Sequence, residues 1–216
     1  IQIARQLDKL GVNVIEAGFP VSSKGEFDSV RQIARSGLQA QVCGLSRIVK
    51  KDAQACLDAD VDLVHVFSPT SDIQIAHTIK MSHDEIVEGA MRTVELVKDN
   101  GRTCLFSAMD ATRTSPEFLH RIFKAVEEVH CDIINIPDTV GVAVPSSFYR
   151  LVKDICDDVH MVVDVHCHND FGLAVANSLA AVEAGAREVQ VCVNGLGERA
   201  GNANLAEVVM GLHSIY

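Results

Sequence analysis

The 216-residue sequence contains no tryptophan, only two tyrosines and five prolines, and few basic residues. Its longest apolar runs are far shorter than the ~18 residues of a membrane span, and no signal peptide is visible, so we expect no membrane partner. Nineteen lysines and arginines are outnumbered by 29 aspartates and glutamates, which gives a net charge of −10. This acidic balance argues against nucleic acid or an anionic membrane surface as the main partner.

The seven cysteines are odd in number, and no two of them form a C-x-x-C pair. Most lie within apolar patterns, as buried thiols of a cytoplasmic protein do, so we expect a reducing, cytoplasmic location. Those in apolar patterns include Cys43, Cys56, Cys104 and Cys192. Cys167 lies between two histidines, but strand alternation turns it away from them, which favours packing over metal ligation.

Apolar runs of strand length alternate with segments of helical spacing along the whole chain, in units of roughly 25–35 residues. With 48% hydrophobic residues, the chain can form one well-buried core. The predicted strands are 12–18, 40–45, 61–67, 102–107, 132–136, 161–166 and 188–193. The predicted helices are 1–10, 26–35, 51–59, 82–100, 116–129, 145–159 and 173–184, with a last one from about 204.

Strands that are apolar on both faces indicate a parallel sheet covered by helices, either a doubly wound open sheet or a barrel. Polar residues follow nearly every predicted strand, and a barrel gathers all such ends on one face, whereas an open sheet uses mainly its switch point. The first helix begins without a capping residue. We therefore predict a single catalytic domain over 1–216, a (β/α)8 TIM barrel lacking its first strand and truncated at both ends.

The predicted strand 161–166 ends in a His-x-His pattern. Asp164, His166 and His168 share one strand face, where two imidazoles can converge on a metal ion. Asn169 and Asp170 follow, where partners for ligating histidines are expected. The pattern alone is equally compatible with two polar residues that close a strand and bind nothing.

The segment 195–204 contains a G-x-G-x-x-A match, the fingerprint of a dinucleotide site. That fingerprint belongs at the start of a βαβ unit, whereas this match stands near the end of the alternation. The glycines are better explained by a loop that carries Glu198, Arg199 and Asn202 to the mouth of a barrel. Alternatively, Glu198 and Arg199 are an ordinary solvated pair.

Two longer segments closely resemble the signature motifs of 2-isopropylmalate synthases. They are 166–181, His-Cys-His-Asn-Asp-Phe-Gly-Leu-Ala-Val-Ala-Asn-Ser-Leu-Ala-Ala, and 194–203, Asn-Gly-Leu-Gly-Glu-Arg-Ala-Gly-Asn-Ala. Shorter matches are 15–20, Ile-Glu-Ala-Gly-Phe-Pro; 69–71, Pro-Thr-Ser; 80–82, Lys-Met-Ser; and 135–141, Asn-Ile-Pro-Asp-Thr-Val-Gly. The resemblance covers essentially the whole chain. It extends to homocitrate and citramalate synthases and to hydroxymethylglutaryl-CoA lyases.

This resemblance implies a TIM barrel that condenses acetyl-CoA with a 2-oxo acid, 2-oxoisovalerate in the named family, in a Claisen reaction. It implies a divalent cation, Mn²⁺, Mg²⁺ or Zn²⁺, bound by His166, His168, Asn202 and an aspartate of the first strand. By the same matching, His65, Ser107 and Thr139 bind the oxo acid. Glu198 and Arg199 are catalytic candidates, and the full-length protein is expected to be a homodimer.

Two departures from the family pattern stand out. The opening strand, with its Asp-Thr-Thr-Leu-Arg-Asp-Gly-Glu motif, is absent from the sequence. Leu105 and Met109 occupy positions where the family commonly has glutamate, and neither side chain can exchange a proton. We therefore expect little or no turnover by the chain as printed. A homologue that binds metal or oxo acid without catalysis is the alternative, beside citramalate or homocitrate synthase.

Overall fold

The computed structural model describes residues 1–215, and within them seven strands form one parallel sheet. Each strand pairs with the next one along the chain. The strands are β1 Val14–Gly18, β2 Gln41–Arg47, β3 Leu63–Pro69, β4 Thr103–Met109, β5 Ile133–Asp138, β6 Val162–Cys167 and β7 Glu188–Gln190. A doubly wound sheet would reverse direction at a switch point, so this strand order confirms the barrel-type alternative.

Helices connect successive strands on the outer side of the sheet, as expected for the β-α-β crossovers of a parallel sheet, while one helix precedes β1 and another follows β7. They are α1 Gln2–Leu10, α2 Lys24–Ala34, α3 Lys50–Asp58, α4 Asp72–Gln74, α5 His83–Asp99, α6 Pro116–Glu128, α7 Pro145–Asp158, α8 Ala174–Ala184 and α9 Leu205–Ile215. None of those described is long and apolar enough to cross a membrane. Local sequence explains their limits: the N-cap Ser82 and Glu85 form a capping box on α5, and left-handed Gly11 ends α1.

The structure differs from the predicted elements in two places. The last strand was predicted over 188–193, but β7 ends at Gln190 because a tight turn follows over Val193–Gly195, with Asn194 at a positive φ of 56°. The short helix α4 and the π-helical turn Ile75–Ile79 were not predicted. The chain leaves that turn through Lys80 at φ 52°, and so short a segment offers too few repeats for a periodic pattern.

The two faces of the sheet differ in character. Outward side chains such as Phe106, Ile134 and Val165 are fully buried against the helices in the main hydrophobic core. A second, smaller cluster forms at the start of the strands on the inner face. It consists of Cys43, Leu63, Leu105 and Ile133, with Val14 packed against it. Further along the strands the inner face becomes polar, which places the candidate site above an apolar floor.

The sheet curls, so that charges on its last strands act on residues of its first strands. Burial raises the pKa of the Cys43 thiol on β2, and the carboxyl of Glu188 on β7 adds to that effect. Within the described residues β1 and β7 do not pair, and an apolar groove of about 710 Å³ lies beside this gap. The groove is lined by Gln2, Ile3, Gln6, Leu7 and Leu10 of α1 together with Val193 and Leu205. A closed TIM barrel has eight strands, and seven are found among the described residues.

Candidate metal and substrate site

A continuous chain of hydrogen bonds crosses the inner face of the sheet. It joins one side chain from each of six strands, at distances of 2.6–2.8 Å. In order they are Glu16, His65, Ser107, Asn135, Asp164 and Gln190. Strand alternation turns all six inward, and parallel register sets Ser107 beside Asn135 and Asn135 beside Asp164.

His65 is held on both sides within this chain. Its Nδ1 lies 2.7 Å from Glu16 Oε2 and its Nε2 lies 2.7 Å from Ser107 Oγ, while the Ser107 hydroxyl donates to Asn135 Oδ1. Burial alone would raise the pKa of Glu16, but the hydrogen bond and charge of His65 outweigh it and hold that pKa below its usual range. The two predicted residues His65 and Ser107 are therefore hydrogen-bonded to each other in the interior, and their neighbours hold both side chains in a fixed orientation.

The thiol of Cys43 lies beside His65 and Glu16, and the ligand atoms of these three residues are within 4.8 Å of one another. Such a group resembles a zinc site in composition. Here burial and nearby Glu16 raise the pKa of Cys43 well above its ordinary value, so the thiolate that binds metals is disfavoured. Both nitrogens of His65 are also occupied by hydrogen bonds. This group is therefore a poorer metal site than the histidine pair on β6.

Asp164 is a fully buried carboxyl on the inner face. Its Oδ2 accepts hydrogen bonds from Asn135 and Gln190, whereas its Oδ1 is buried without a partner. Burial raises the pKa of Asp164 well above the ordinary value, and nearby Glu188 raises it further. Burial likewise raises the pKa of Glu188. The interior beside β6 and β7 therefore carries acidic side chains that disfavour additional negative charge.

The predicted histidines come together at the end of β6. Their Nε2 atoms are 3.0 Å apart and their rings meet edge to face, with centroids 4.8 Å apart. Burial lowers the pKa of His166 to about 4, and burial and then Arg199 lower that of His168. Both imidazoles are therefore neutral at pH 7, the state in which histidine binds a metal. Two facing nitrogen lone pairs repel each other unless a proton or a cation lies between them.

Asn202 is brought beside these histidines by backbone pairing. The segment that carries it forms an antiparallel bridge with His168, supported by the bond from Ala203 N to Cys167 O of 3.0 Å. The amide oxygen of Asn202 is buried and has no hydrogen-bond partner. A Cβ atom on Gly197 would lie 2.4 Å from that oxygen, so the amide occupies a space that only glycine leaves open.

These features fit a divalent cation. The structure offers two neutral imidazole nitrogens facing one point and an unpartnered amide oxygen on the residue bridged to one of them. Mixed nitrogen and oxygen ligands suit Zn²⁺ or Mn²⁺. Mg²⁺ is suited when oxygen atoms of substrate and water supply its remaining ligands. Cys167 points away into the main hydrophobic core, which confirms the expectation that it packs rather than ligates.

The three remaining candidate residues lie in the loops around this mouth. Thr139 Oγ1 accepts a hydrogen bond of 2.8 Å from Asp110 N. Arg199 makes a bidentate pair with Asp170, at 2.6 and 2.8 Å, and its Nη2 also donates to Thr139 O. The side chain of Glu198 is 77% exposed and meets only the edge of Arg199 at 3.4 Å. Arg199 thus links the loops that follow β5, β6 and β7, and its catalytic role stays a prediction.

Strand alternation could have identified several interior residues that sequence analysis did not single out. The sequence motifs alone assign no chemical role to Glu16, Asn135, Asp164 or Gln190. Their positions on inward-facing steps of β5, β6 and β7 follow from the same alternation that located His166. Their hydrogen bonds depend on which strands are neighbours and on register, which local sequence does not specify.

The strand order and the mouth-side cluster define a TIM-barrel-type domain with a candidate metal centre at the carboxyl ends of its strands. The HMGL-like family matches residues 1–215. The chain belongs to this family.

Several curated proteins are similar over the whole chain. A probable 2-isopropylmalate synthase of Methanosarcina acetivorans is 61% identical over 216 residues, covering 100% of this chain and 42% of its own length. One from Archaeoglobus fulgidus is 62% identical over 215 residues, covering 100% of this chain and 43% of its own length. A homocitrate synthase of Methanopyrus kandleri is 50% identical, covering 100% of the chain and 54% of its own length. The chain thus spans less than half of the first two relatives.

Solved structures agree on the fold. An HMG-CoA lyase of Bacillus subtilis superposes with a TM-score of 0.88 at 20% identity, covering 100% of this chain and 78% of its own. An HMG-CoA lyase of Acinetobacter baumannii, solved with coenzyme A and 3-methylmalate, gives a TM-score of 0.85 at 22% identity, covering 100% and 76%. At this identity the likeness shows the fold alone, and it supports the curled parallel sheet described above.

Proposed function

We propose that this chain is the substrate- and metal-binding part of a 2-isopropylmalate synthase, in which acetyl-CoA condenses with 2-oxoisovalerate. The observation that carries the proposal is the pair of neutral imidazoles, with Nε2 atoms 3.0 Å apart, beside the unpartnered oxygen of Asn202. The 61–62% identity to curated 2-isopropylmalate synthases supports this choice within the family. In the reaction the acetyl carbon loses a proton, bonds to the ketone carbon, and water releases coenzyme A from the thioester.

The residues of this chain then have distinct tasks. His166, His168 and Asn202 hold the cation, which when bound supplies a Lewis acid for the ketone and carboxylate oxygens of the oxo acid. His65 and Ser107 line the oxo-acid pocket and are held in place by Glu16 and Asn135, and a hydrogen bond from either of them to the oxo acid would replace one that it makes within this chain of side chains. Thr139, which directly follows β5, binds the oxo acid through its hydroxyl.

The interior also favours a short, branched oxo acid. Beneath the hydrogen-bonded side chains the inner face is an apolar floor of Cys43, Leu63, Leu105 and Ile133, which offers no group to pair a second charge. A second carboxylate, as in 2-oxoglutarate, would meet the acidic side of the interior formed by Asp164 and Glu188 without a cation to pair it. We expect kcat/KM for 2-oxoisovalerate to exceed that for 2-oxoglutarate by a factor of at least about 100. A preference for 2-oxoglutarate would instead place the protein with the homocitrate synthases.

Met109 and Leu105 favour a second candidate function, binding without turnover. Both lie on inward-facing steps of β4 on either side of Ser107, and neither can accept a proton. We also propose that the gap between β1 and β7 is the place of a further strand carrying a carboxylate ligand, and that the whole protein is a homodimer. Such a strand would complete both the barrel and the ligand set.

A thiol-release assay with acetyl-CoA and 2-oxoisovalerate tests these proposals on three forms of the protein. They are the chain as printed, the chain extended by a family-type first strand, and the extended form with Met109→Glu. We expect no turnover from the first, little from the second and the most from the third, since a positioned acid–base group contributes about 10²–10⁴ in rate. Met109→Gln, of similar size but without a carboxylate, is the matched control.

Each outcome is informative. Loss of all turnover in the third form on His168→Ala supports the metal assignment. Robust turnover by the printed chain would contradict the proposed need for a further strand. Full activity of the second form would show that Met109 is tolerated and would remove the non-catalytic alternative. Absence of turnover in all three forms, with binding of 2-oxoisovalerate retained, would favour that alternative.

A further inference from the structure

Two residues that have no part in the proposed reaction surround the side-chain amide of Asn202. Its Nδ2 donates a hydrogen bond of 3.2 Å to the sulfur of Cys192. On its other side lies Gly197, where a Cβ atom would come within 2.4 Å of Oδ1 and 2.8 Å of Nδ2. The amide is therefore fixed at its nitrogen by a thiol and packed against a position that has room for no side chain.

The contact with Cys192 is fixed by the backbone on both sides. Cys192 N donates to Ala203 O at 2.9 Å, and Cys192 O accepts from Leu205 N at 3.0 Å. The same stretch is tied back a second time by the bond from Asn202 N to Gly195 O at 2.9 Å. Cys192 and Asn202 thus sit on two segments held in register, so the sulfur faces the amide without depending on a mobile side chain.

The orientation of this amide matters chemically. Its oxygen carries lone pairs and can ligate a cation, whereas its NH₂ group carries only donors and cannot. A half-turn of the amide would exchange the two. Because the thiol accepts from Nδ2, the oxygen is the end that remains unpartnered and buried.

We propose that Cys192 and Gly197 are positioning residues that fix the Asn202 amide with its oxygen available to a divalent cation. This inference rests on the proposed metal site and adds two residues of the mouth to it. Residues that orient metal ligands typically change metal affinity by about 10–100-fold when substituted. Cys192→Ala removes the acceptor for Nδ2, and Gly197→Ala places a methyl group in the space of the amide. Gly197 has no positive φ, so alanine meets no backbone strain there.

Isothermal titration of the purified protein with Mn²⁺ tests the proposal. We expect the Kd for Mn²⁺ to rise at least about tenfold in Cys192→Ala and in Gly197→Ala. Cys192→Ser, which keeps an acceptor, should recover part of the affinity lost in Cys192→Ala. Matched controls are Cys156→Ala on α7 and Gly25→Ala on α2, where an added Cβ meets nothing closer than 3.9 Å. Both controls should bind Mn²⁺ as the unsubstituted protein does.

Two further measurements separate this proposal from the metal assignment. If His168→Ala binds Mn²⁺ as well as the unsubstituted protein, the metal site is wrong and the positioning role falls with it. If His168→Ala loses binding while Cys192→Ala and Gly197→Ala match their controls, the metal site stands and the positioning role is wrong. If the variants that lose affinity for Mn²⁺ also have a clearly lower melting temperature in the absence of metal, Cys192 and Gly197 have a structural role only. We expect Cys192→Ala to shift that temperature no more than Cys156→Ala does.

Discussion

At the scale of single residues, the inward-facing side chains of β4 differ in their surroundings between the apolar floor and the mouth of the barrel. Leu105 is 3% exposed and packs into the interior cluster with Cys43, Leu63 and Ile133. Two residues further along, Ser107 belongs to the chain of hydrogen bonds, and two residues beyond that Met109 is half-buried at the end of the strand. The same substitution therefore has different consequences at the two ends of this face.

Leu105→Glu is expected to lower the free energy of unfolding by about 3 kcal/mol or more, because the new carboxyl would be buried in an apolar cluster without a hydrogen-bond partner. Leu105→Met keeps the volume and should cost less than about 1.5 kcal/mol. Urea unfolding of both variants provides the measurement. A carboxyl tolerated at Leu105 would show that the interior floor is hydrated or open.

Residue-level reasoning from the sequence located the histidine pair because strand alternation depends only on local spacing. The same alternation predicted that Cys167 points away from the histidines, and in the structure Cys167 lies in the main hydrophobic core. It did not find the links from Glu16 to His65 or from Asn135 to Asp164, because these bonds join residues that are 49 and 29 positions apart in the sequence. Such bonds depend on strand neighbours and register, which become known only once the sheet is assembled.

At the scale of elements, three loops meet at the bidentate pair of Arg199 and Asp170. The two side chains are 42% and 22% exposed, so the pair should contribute less than about 1 kcal/mol to global stability. Its effect should instead be local, because Arg199 also donates to Thr139 O in the loop after β5. The pair should order the segment that carries Asn202.

Asp170→Asn and Arg199→Gln are each expected to speed hydrogen exchange of the backbone amides of 195–201, and the double variant should add little to either. Hydrogen exchange with mass-spectrometric detection measures this coupling. Additive effects of the two substitutions would mean that the residues act separately. If, in the extended form with Met109→Glu, Arg199→Gln lowers the turnover number far more than Asp170→Asn does, Arg199 has the catalytic role for which it is a candidate.

The packing of α6 against α7 contains a titratable contact. Both ring nitrogens of His120 on α6 face carboxylates of α7, Asp158 and Asp154, each at 2.8 Å. Partial burial alone would lower the pKa of His120, but hydrogen bonds to Asp158 and then Asp154, with their charges, raise it above its ordinary value. A group whose pKa is raised on folding stabilises the protein fully below its unfolded pKa, and that contribution is lost as pH rises through the folded pKa.

The difference in unfolding free energy between the unsubstituted protein and His120→Gln should therefore be largest near pH 6 and shrink towards pH 8. Chemical denaturation at a series of pH values measures it, with His160→Gln, an exposed histidine, as the control. A difference that stays constant or grows with pH would contradict the assigned contact.

The alternation of strands and helices was predictable at this scale because each element is long enough to show its own period. The elements missed or shortened were α4 with its π-helical turn and the second half of the last strand. The ends of these elements depend on positive φ angles at Lys80 and Asn194, which the pattern of apolar and polar side chains does not predict.

At the scale of the whole molecule, the chain as described leaves two sheet edges unpaired and an apolar groove beside them. Exposed strand edges and apolar patches promote association. Ile3 and Leu10 line the groove and are 75% and 66% exposed. The protein as printed should therefore associate as its concentration rises.

Analytical ultracentrifugation over a range of concentrations measures that association. Ile3→Lys and Leu10→Lys are each expected to shift the equilibrium towards monomer, whereas Lys24→Glu on an exposed turn of α2 should leave it unchanged. Concentration-independent sedimentation as a monomer would contradict the expectation and would indicate that the groove is covered in another way.

The central claim is that a divalent cation binds at His166, His168 and Asn202, and anomalous diffraction from crystals soaked in Mn²⁺ tests it most directly. We predict a single strong anomalous peak about 2.0–2.3 Å from the Nε2 atoms of both histidines and from Asn202 Oδ1. A peak among Glu16, Cys43 and His65 instead, or none at a concentration that saturates binding in solution, would contradict the claim.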